Sequence, residues 1–292
     1  MFPIKRIIPK RIWRFFRPRM IDGLRAIWLR SLRAAGKEQG LAELVNKLEE
    51  ASPDINNQYS TVELNNAYLR TKVRYQHAFQ ISLVGRIIRE FTNPVIIDIG
   101  DSAGTHLQYI SKLYSKDNNI TCCSVNSDPM AIERIRKRGL NAILTKAEDP
   151  DSYNIAADIF LCFQTLEHLM DPCNFLYRLS SKTRAKYLIV TVPYLKRSRV
   201  GLYHARGWRE GKVTAENTHF LELNPEDWRA VFKHSGWNIV AEKIYLQYPR
   251  KSPLRFTKFL WKRLDFEGFY GAILKKDDTW SSQYLDWQVT NG

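Results

Sequence analysis

The fold is decided by the stretch Val95-Ile96-Ile97-Asp98-Ile99-Gly100-Asp101-Ser102-Ala103-Gly104, an apolar β-branched run followed by a turn with two glycines. The run predicts a buried strand over Val95–Ile99, and the sequence after the turn predicts a helix over Thr105–Tyr114. Glycines allow a backbone to approach a ligand closely, and the start of a helix offers free N–H groups. The turn is not a P-loop, because no Gly-Lys-Ser/Thr follows, and Ser102 stands where the dinucleotide fingerprint needs its second glycine.

Strand and helix patterns alternate from Pro94 onward. Six further strands are predicted, over Ile120–Val125, Ala142–Leu144, Asp158–Phe163, Tyr187–Val192, Trp237–Leu246 and Gly268–Leu274. Further helices are predicted among them, over Pro129–Arg138, Pro172–Ser180 and Pro225–His234. Buried β-branched strands alternating with amphipathic helices are typical of parallel sheets. The sequence therefore predicts an α/β fold, in which a seven-stranded, mostly parallel sheet carries helices on both faces.

The N-terminal part of the chain has a different character, and we divide the chain into a helical extension over residues 1–60 and a domain over residues 61–292. Helices are predicted over Met20–Ala35, Leu41–Glu50 and Val62–Phe91. The first has one apolar stripe, made of Ile21, Leu24, Trp28 and Leu32. Trp and Leu opposite arginines suit a helix that lies in a membrane interface. The same pattern suits a helix docked on its own protein, and the sequence leaves both interpretations open.

Charge is concentrated at the N-terminus. The chain of 292 residues has a formal net charge of +15, and residues 1–40 hold eleven Lys or Arg against two acidic residues. Such a segment favours an anionic partner: a lipid surface, nucleic acid or a phosphate-bearing substrate. No run of 18 uncharged apolar residues is present, so no spanning helix is predicted. Arginines interrupt every apolar run near the N-terminus, so a signal peptide is not expected, and the chain is predicted to be cytoplasmic.

A second motif follows the predicted fourth strand and reads Gln164-Thr165-Leu166-Glu167-His168-Leu169-Met170-Asp171-Pro172. After it come Thr191-Val192-Pro193, then Thr218-His219-Phe220, then Ser235-Gly236-Trp237. Together with the turn at Asp98–Gly104, this order resembles the class I (Rossmann-like) S-adenosylmethionine-dependent methyltransferases, and within them the "LEH-x-x-DP" group. The resemblance covers roughly residues 60–275 and leaves the first 40 residues outside it.

The resemblance implies that S-adenosyl-L-methionine lies across the carboxyl ends of the first four strands. The cofactor-binding residues that it implies are Asp98, Gly100, Asp101, Ser102, Gly104, Asn126, Ser127, Glu148, Gln164 and Thr165. Two positions depart from the family pattern. Asn126 stands where an acidic residue usually holds the ribose, and Lys146 stands where an Asp often reads the adenine. An amide can hydrogen-bond a hydroxyl but lacks the charge assistance of a carboxylate.

The resemblance also places Glu167 and His168 near the transferred methyl group, while His219 arrives from a later loop as a candidate base. Methyl transfer needs mainly alignment of the acceptor and removal of its proton. Ubiquinone O-methyltransferases and small-RNA 2′-O-methyltransferases resemble this segment and use E-x-x-E-H with a distant His around a divalent ion. Here the first position is Gln164, which makes a magnesium site unfavourable. Two neutral histidines with one carboxylate can still bind a transition metal, but the site is predicted to need none.

We expect an enzyme that methylates, with O-methylation favoured, a small-molecule or glycan acceptor, specifically a glycan or lipid-linked intermediate of cell-envelope polysaccharide biosynthesis. It would lie at the inner face of the membrane, which residues 1–36 would contact. The segment Arg250–Arg263 is either an acceptor-side insertion or a helix packed on the core. The alternatives are an RNA methyltransferase whose basic segment tracks phosphates, and a non-catalytic scaffold. Nucleic acid is disfavoured because Trp13 and Trp28 stand among apolar aliphatic residues.

Overall fold

The computed structural model describes residues 10–56, 58–59, 63–115, 119–200, 218–263 and 267–283, without the side chains of residues 10–22 and 263. The main helices are α1 Lys10–Glu38, α2 Ala42–Ala51, α3 Ala67–Ile87, α4 Thr105–Tyr114, α5 Pro129–Lys137, α6 Pro172–Lys182, α7 Pro225–His234 and α8 Lys258–Arg263. The strands are β1 Val95–Ile99, β2 Thr121–Asn126, β3 Asn141–Leu144, β4 Ile159–Phe163, β5 Tyr187–Pro193, β6 Arg199–Val200, β7 Leu221–Glu222, β8 Trp237–Leu246 and β9 Gly268–Lys276.

Seven of these strands form one sheet in the order β3-β2-β1-β4-β5-β9-β8. The first five pair in parallel, and β9 pairs antiparallel to both β5 and β8. The predicted Rossmann-like sheet, mostly parallel with helices on both faces, is confirmed. The strand order reverses between β1 and β4, and in open α/β sheets a ligand binds at the carboxyl ends of the strands at such a point.

The sheet is covered on both faces because its central strands alternate apolar side chains to either side. Ile96 and Leu161 belong to one core cluster, which includes residues of α1 to α4, whereas Ile97 and Phe160 belong to a second one, which includes residues of α6 and α7. The helix predicted from residue 62 begins at Ala67 instead. Asn66 is its N-cap, and its side chain accepts a hydrogen bond from the Leu69 N–H.

The second half of α1 packs on the domain. Leu32 and Ala35 are fully buried, and a Cβ placed on Gly36 would lie 1.8 Å from the ring of Tyr75 on α3. Gln39, just beyond the helix, donates to the carbonyl of Leu246 and accepts from its N–H, so it pairs with the end of β8. From Trp28 to Gln39 the chain is thus docked on its own protein, whereas the side chain of Ile21 lies outside the described residues. The division at residue 60 stays a prediction.

The segment Arg250–Arg263 contains a 3-10 helix over Pro253–Thr257 and then α8. Trp261 is buried against α1, with its ring centre 6.4 Å from that of Trp28. Phe256 and Phe259 point outward and are 54% and 77% exposed. The segment therefore packs on the core through Trp261 and leaves two aromatic rings exposed, and its role on the acceptor side stays a prediction. In the described part of the chain, no helix has the length and hydropathy to cross a membrane.

Candidate active site

A cavity of about 510 Å³ opens at the carboxyl ends of β1, β2 and β4. Nine of the thirteen predicted site residues line it: Gly100, Asp101, Ser102, Asn126, Ser127, Glu148, Gln164, Thr165 and His168. Asp98, Gly104, Glu167 and His219 do not line it. A volume of this size suits a ligand of nucleoside dimensions. The predicted residues come together because the loops that carry them leave the same edge of a parallel sheet.

The two glycines of the first turn have separate roles. Gly100 has φ +87°, and a Cβ placed on it would lie 2.4 Å from Oγ1 of Thr165, whose hydroxyl donates to the carbonyl of Ile99. Gly104 has φ +73° and is the residue before α4, where a Cβ would lie 2.7 Å from Leu140. Gly100 therefore lets the loop after β4 close against the cavity wall, whereas Gly104 lets α4 pack beside Leu140 away from it.

Asn126 joins the loops that follow β1 and β2. Its amide N–H donates to the carbonyl of Asp101 at 3.1 Å, and its side-chain oxygen accepts from the N–H of Asp128 at 2.8 Å. Asp128 itself accepts from the N–H of Met130 and caps α5. An amide serves here because it both donates and accepts, which a carboxylate cannot do. The departure from the acidic residue of the family pattern thus has a structural reason.

Two buried carboxylates lie at the base of the turn. Asp98 accepts a hydrogen bond from His106 Nδ1 at 3.0 Å, and His106 Nε2 bonds the side-chain oxygen of Gln80 at 3.1 Å. Oδ1 of Asp98 and Oδ2 of Asp101 are buried and have no partner among the described residues. Burial raises the pKa of Asp98 to about 6, and although burial opposes protonation of His106, the Asp98 carboxylate raises its pKa. This pair of acids with unpartnered oxygens is suited to a cationic group.

Helix α3 supplies a wall that the sequence did not indicate. Gln76, His77 and Gln80 line the cavity, and Gln80 donates to the Thr191 hydroxyl at 3.1 Å. Gln164, which follows β4 and has φ +55°, donates to the same hydroxyl at 3.2 Å. The signal in the sequence was a pair of glutamines, Gln76 and Gln80, one helical turn apart on a helix predicted to have an apolar face. Such a pair is ordinarily exposed, and only the packing of α3 across the sheet places it in the cavity.

Glu167, His168 and His219 form a second group beside the cavity. The ring centres of the two histidines lie 4.7 Å apart, and the Phe220 N–H donates to the Glu167 carbonyl at 2.7 Å. His168 Nδ1 bonds the carbonyl of Thr218 at 2.8 Å, so this nitrogen carries a proton. The loop after β4 and the loop before β7 are thereby held together. His168 connects this group to the cavity, which it lines.

Glu222, which the sequence analysis did not single out, orients His219. Its Oε1 accepts from His219 Nδ1 at 2.7 Å, and its Oε2 accepts from Nε of Arg199 on β6. Although burial opposes its ionisation, the bonds to His219 and Arg199 lower the pKa of Glu222 to about 2. Burial likewise opposes protonation of His219, but the bond to Glu222 raises its pKa. With Nδ1 directed at Glu222, neutral His219 has Nε2 as its proton acceptor, which is the arrangement of a general base.

Glu167 is the buried carboxyl group beside the two histidines. Burial raises its pKa to about 7, and its Oε2 is buried with no partner among the described residues. A carboxyl group with this pKa can give or accept a proton near neutrality. One ligand atom each from Glu167, His168 and His219 lie within 4.8 Å of one another, and two imidazoles with one carboxylate can hold a transition metal. Gln164, which replaces a carboxylate ligand of the metal-dependent relatives, donates a hydrogen bond to Thr191 instead. That the site needs no metal stays a prediction.

The comparisons with known proteins agree with this geometry. A family model described as a methyltransferase domain matches residues 72–242, which is more than half of the chain. The chain therefore belongs to the methyltransferase-domain family, and its cofactor is S-adenosyl-L-methionine. No curated protein matches the chain in sequence.

Solved structures share the fold at low identity. The [4+2]-cyclase SpnF has a TM-score of 0.51 at 12% identity, over 84% of this chain and 97% of that one. A sarcosine dimethylglycine methyltransferase of Galdieria sulphuraria, described as putative, has a TM-score of 0.51 at 10% identity, over 72% and 87%. The 1,6-didemethyltoxoflavin-N1-methyltransferase of Burkholderia thailandensis has a TM-score of 0.50 at 13% identity, over 81% and 89%.

The residues of the cavity fit the cofactor in charge. S-adenosyl-L-methionine carries an ammonium group, and Asp101, which lines the cavity, has a buried carboxylate oxygen with no partner among the described residues. The Asp98 carboxylate lies within 4.8 Å of it and adds negative charge behind the cavity wall. The hydroxyl of Ser102 is already engaged, because it donates to the carbonyl of Gln58 at 2.5 Å. Glu148 and Ser127 line the cavity on the side of β2 and β3. The assignment of individual contacts to these residues stays a prediction.

Proposed function

We propose that this protein is an O-methyltransferase of the LEH-x-x-DP group, acting on a glycan or lipid-linked intermediate at the surface of a membrane. The proposal of O-methylation rests on the hydrogen bonds that join Arg199 to Glu222 and Glu222 to His219, beside the cofactor cavity. The cofactor supplies an electrophilic methyl group. His219 removes the proton of the acceptor hydroxyl through Nε2, and Glu222 stabilises the imidazolium that forms. A hydroxyl acceptor needs such a base, since its own pKa lies far above neutrality.

Glu167 and His168 position the acceptor in this proposal. His168 lines the cavity, and the bond from its Nδ1 to the Thr218 carbonyl fixes the ring as part of the surface that the acceptor contacts. Glu167, with its pKa of about 7, takes up or returns a proton as the charge of the His219 pair changes.

The membrane surface is supported by the side of the molecule that α1 and α8 share. Arg30 and Arg33 are exposed on the docked half of α1, and Phe256 and Phe259 are exposed on the segment that packs against it. Exposed cations and exposed aromatic rings on neighbouring elements suit an anionic lipid interface, where each cation near the surface contributes about 1 kcal/mol. The same features support the inner face of a membrane as the location.

Calorimetry tests the enzymatic part. We expect saturable binding of S-adenosyl-L-methionine to the intact protein, and the variant His219→Gln should bind it equally well. With tritiated methyl donor and a membrane extract, wild type should label material that partitions into organic solvent, and His219→Gln should lose labelling by about 10²-fold or more. Absence of cofactor binding would refute the proposal, and labelling of RNA instead would refute the acceptor class.

Vesicle flotation tests the membrane part. Wild type should float with phosphatidylglycerol/phosphatidylcholine vesicles at low salt and separate from them at high salt, because screening removes the attraction. Replacing Arg30 and Arg33 by glutamine should weaken flotation. The matched control replaces Lys182 and Arg184, two exposed cations before β5. Equal loss in both variants would mean that net charge, and not this surface, governs the binding.

A further inference from the structure

A second pocket, of about 300 Å³, lies between the loop that follows β5 and helix α8. It is lined by Tyr194, Leu195, Lys196, Arg197, Ser198, Arg199, Lys262 and Glu267. It shares no lining residue with the cofactor cavity. The loop leaves the carboxyl end of β5, the same edge of the sheet that carries the cavity, since β4 and β5 are parallel.

The lining is strongly cationic. Among the described residues, the lining contains four cations, Lys196, Arg197, Arg199 and Lys262, and one acid, Glu267. Glu267 accepts a hydrogen bond from the Tyr248 hydroxyl at 2.6 Å and lies 3.9 Å from Nζ of Lys196, so it neutralises part of this charge. Arg199 is also ion-paired with Glu222, so four cations stand against two acids and the pocket keeps a net positive charge that favours an anion. In proteins, phosphate oxygens accept hydrogen bonds from guanidinium and ammonium groups, and the lining of this pocket contains both.

The pocket is linked to the base by direct contacts. Arg199 lines the pocket and donates to Glu222, and Glu222 holds His219. The His219 ring lies beside that of His168, which lines the cofactor cavity. An anionic group bound in the pocket therefore sits at one end of a short series of contacts whose other end is the cofactor cavity.

We propose that this pocket binds the phosphate or diphosphate group of the acceptor, and so directs the acceptor hydroxyl to His219. The inference rests on the proposed methyltransferase function and names its substrate class: a phosphorylated glycan, either soluble or linked to lipid through its diphosphate. Lys262 lies on α8, which also exposes Phe259, so a lipid chain attached to the phosphate would leave the pocket beside an exposed apolar side chain.

The soluble arm of the test is a calorimetric titration with inorganic pyrophosphate. The intact protein is first saturated with S-adenosylhomocysteine, so that the cofactor cavity is occupied. We expect binding to wild type, and binding about tenfold or more weaker in Lys196→Gln/Arg197→Gln, because two charge-assisted contacts are lost. The control Lys182→Gln/Arg184→Gln removes the same charge at the other end of β5 and should bind like wild type.

The lipid arm compares two sets of vesicles of equal surface charge, one containing phosphatidylglycerol and the other an isoprenoid diphosphate. A lipid-linked acceptor predicts tighter binding to the diphosphate vesicles, a preference that the Lys196→Gln/Arg197→Gln variant loses and the control keeps. If pyrophosphate binds through the pocket but the vesicles are not distinguished, the acceptor is a soluble phosphate ester.

Two results overturn the inference: no pyrophosphate binding by wild type, or equal weakening in the pocket variant and the control. Binding of S-adenosyl-L-methionine separates this failure from that of the proposed function. A protein that binds the cofactor and transfers methyl groups, yet ignores pyrophosphate, keeps its function and loses only the phosphate pocket. A protein that does not bind the cofactor at all fails at the earlier step.

Discussion

Replacing Glu222 by glutamine should lower the pKa of His219. Glu222 is 6% exposed and accepts from both His219 and Arg199, so its negative charge acts on the imidazolium with little solvent screening. Glutamine keeps one acceptor oxygen but turns an N–H₂ group toward the second donor. An opposite charge in contact shifts a pKa by about 1 unit or more, which is about 1.4 kcal/mol per unit. Methyl transfer should slow by about tenfold or more, because the imidazolium formed in the reaction loses its partner.

The pH dependence of stability gives a second measurement on the same variant. The pKa of Glu222 is lowered to about 2 from its usual 4.5, so its contribution to stability is present above pH 4.5 and is lost as pH falls through 2. The pKa of His219 is raised above 6.5, so its contribution is present below that pH and is lost as pH rises through the folded-state value. Wild type should therefore exceed Glu222→Gln in stability most clearly between pH 4.5 and 6.5.

The assay is an NMR titration of the histidine Cε1–H signals, with His219 assigned through His219→Gln. Glu242 offers the matched control, since it also pairs with an arginine, at 2.7 Å from Arg229, and accepts from the Tyr270 hydroxyl. Glu242→Gln should leave the pKa of His219 and the rate of transfer unchanged. An unchanged His219 pKa in Glu222→Gln would refute the assignment of His219 as a base oriented by Glu222.

Three further outcomes are expected. Asn126→Asp should weaken cofactor binding rather than strengthen it, because a carboxylate would face the Asp101 carbonyl at 3.1 Å; tighter binding in calorimetry would contradict this. Affinity for S-adenosyl-L-methionine should fall as pH drops below about 6, where Asp98 takes up a proton and loses its attraction for the ammonium, and Asp98→Asn should remove this dependence. Dialysis against a chelator should leave the transfer rate unchanged, since Gln164 is bonded to Thr191 and supplies no carboxylate; loss of rate with recovery on adding Mn²⁺ or Zn²⁺ would show a metal site.

Local sequence was sufficient for the strands of the seven-stranded sheet and for the turn that opens the cavity. The run Val95–Ile99 is apolar on both sides, which only a strand covered on both faces can bury, and the turn that ends it must lie at a carboxyl edge. Most of the predicted cofactor residues line one cavity for the same reason. The short β6–β7 pair was not predicted, because two-residue strands lack a periodic pattern, and with it the sequence analysis missed Glu222 and its bond to His219.

The sequence by itself determined the class of fold, the edge of the sheet at which the cavity opens and the presence of two histidines near it. These properties depend on periodicity and on motifs that are contiguous in the chain. Only the tertiary structure decided that Gln80 of α3 lines the cavity, that Trp28 packs against Trp261, and that four cationic residues line one pocket. Each of these contacts joins residues that are far apart in sequence. The way the helices pack across the sheet brings these residues together, and a local sequence pattern does not determine that packing.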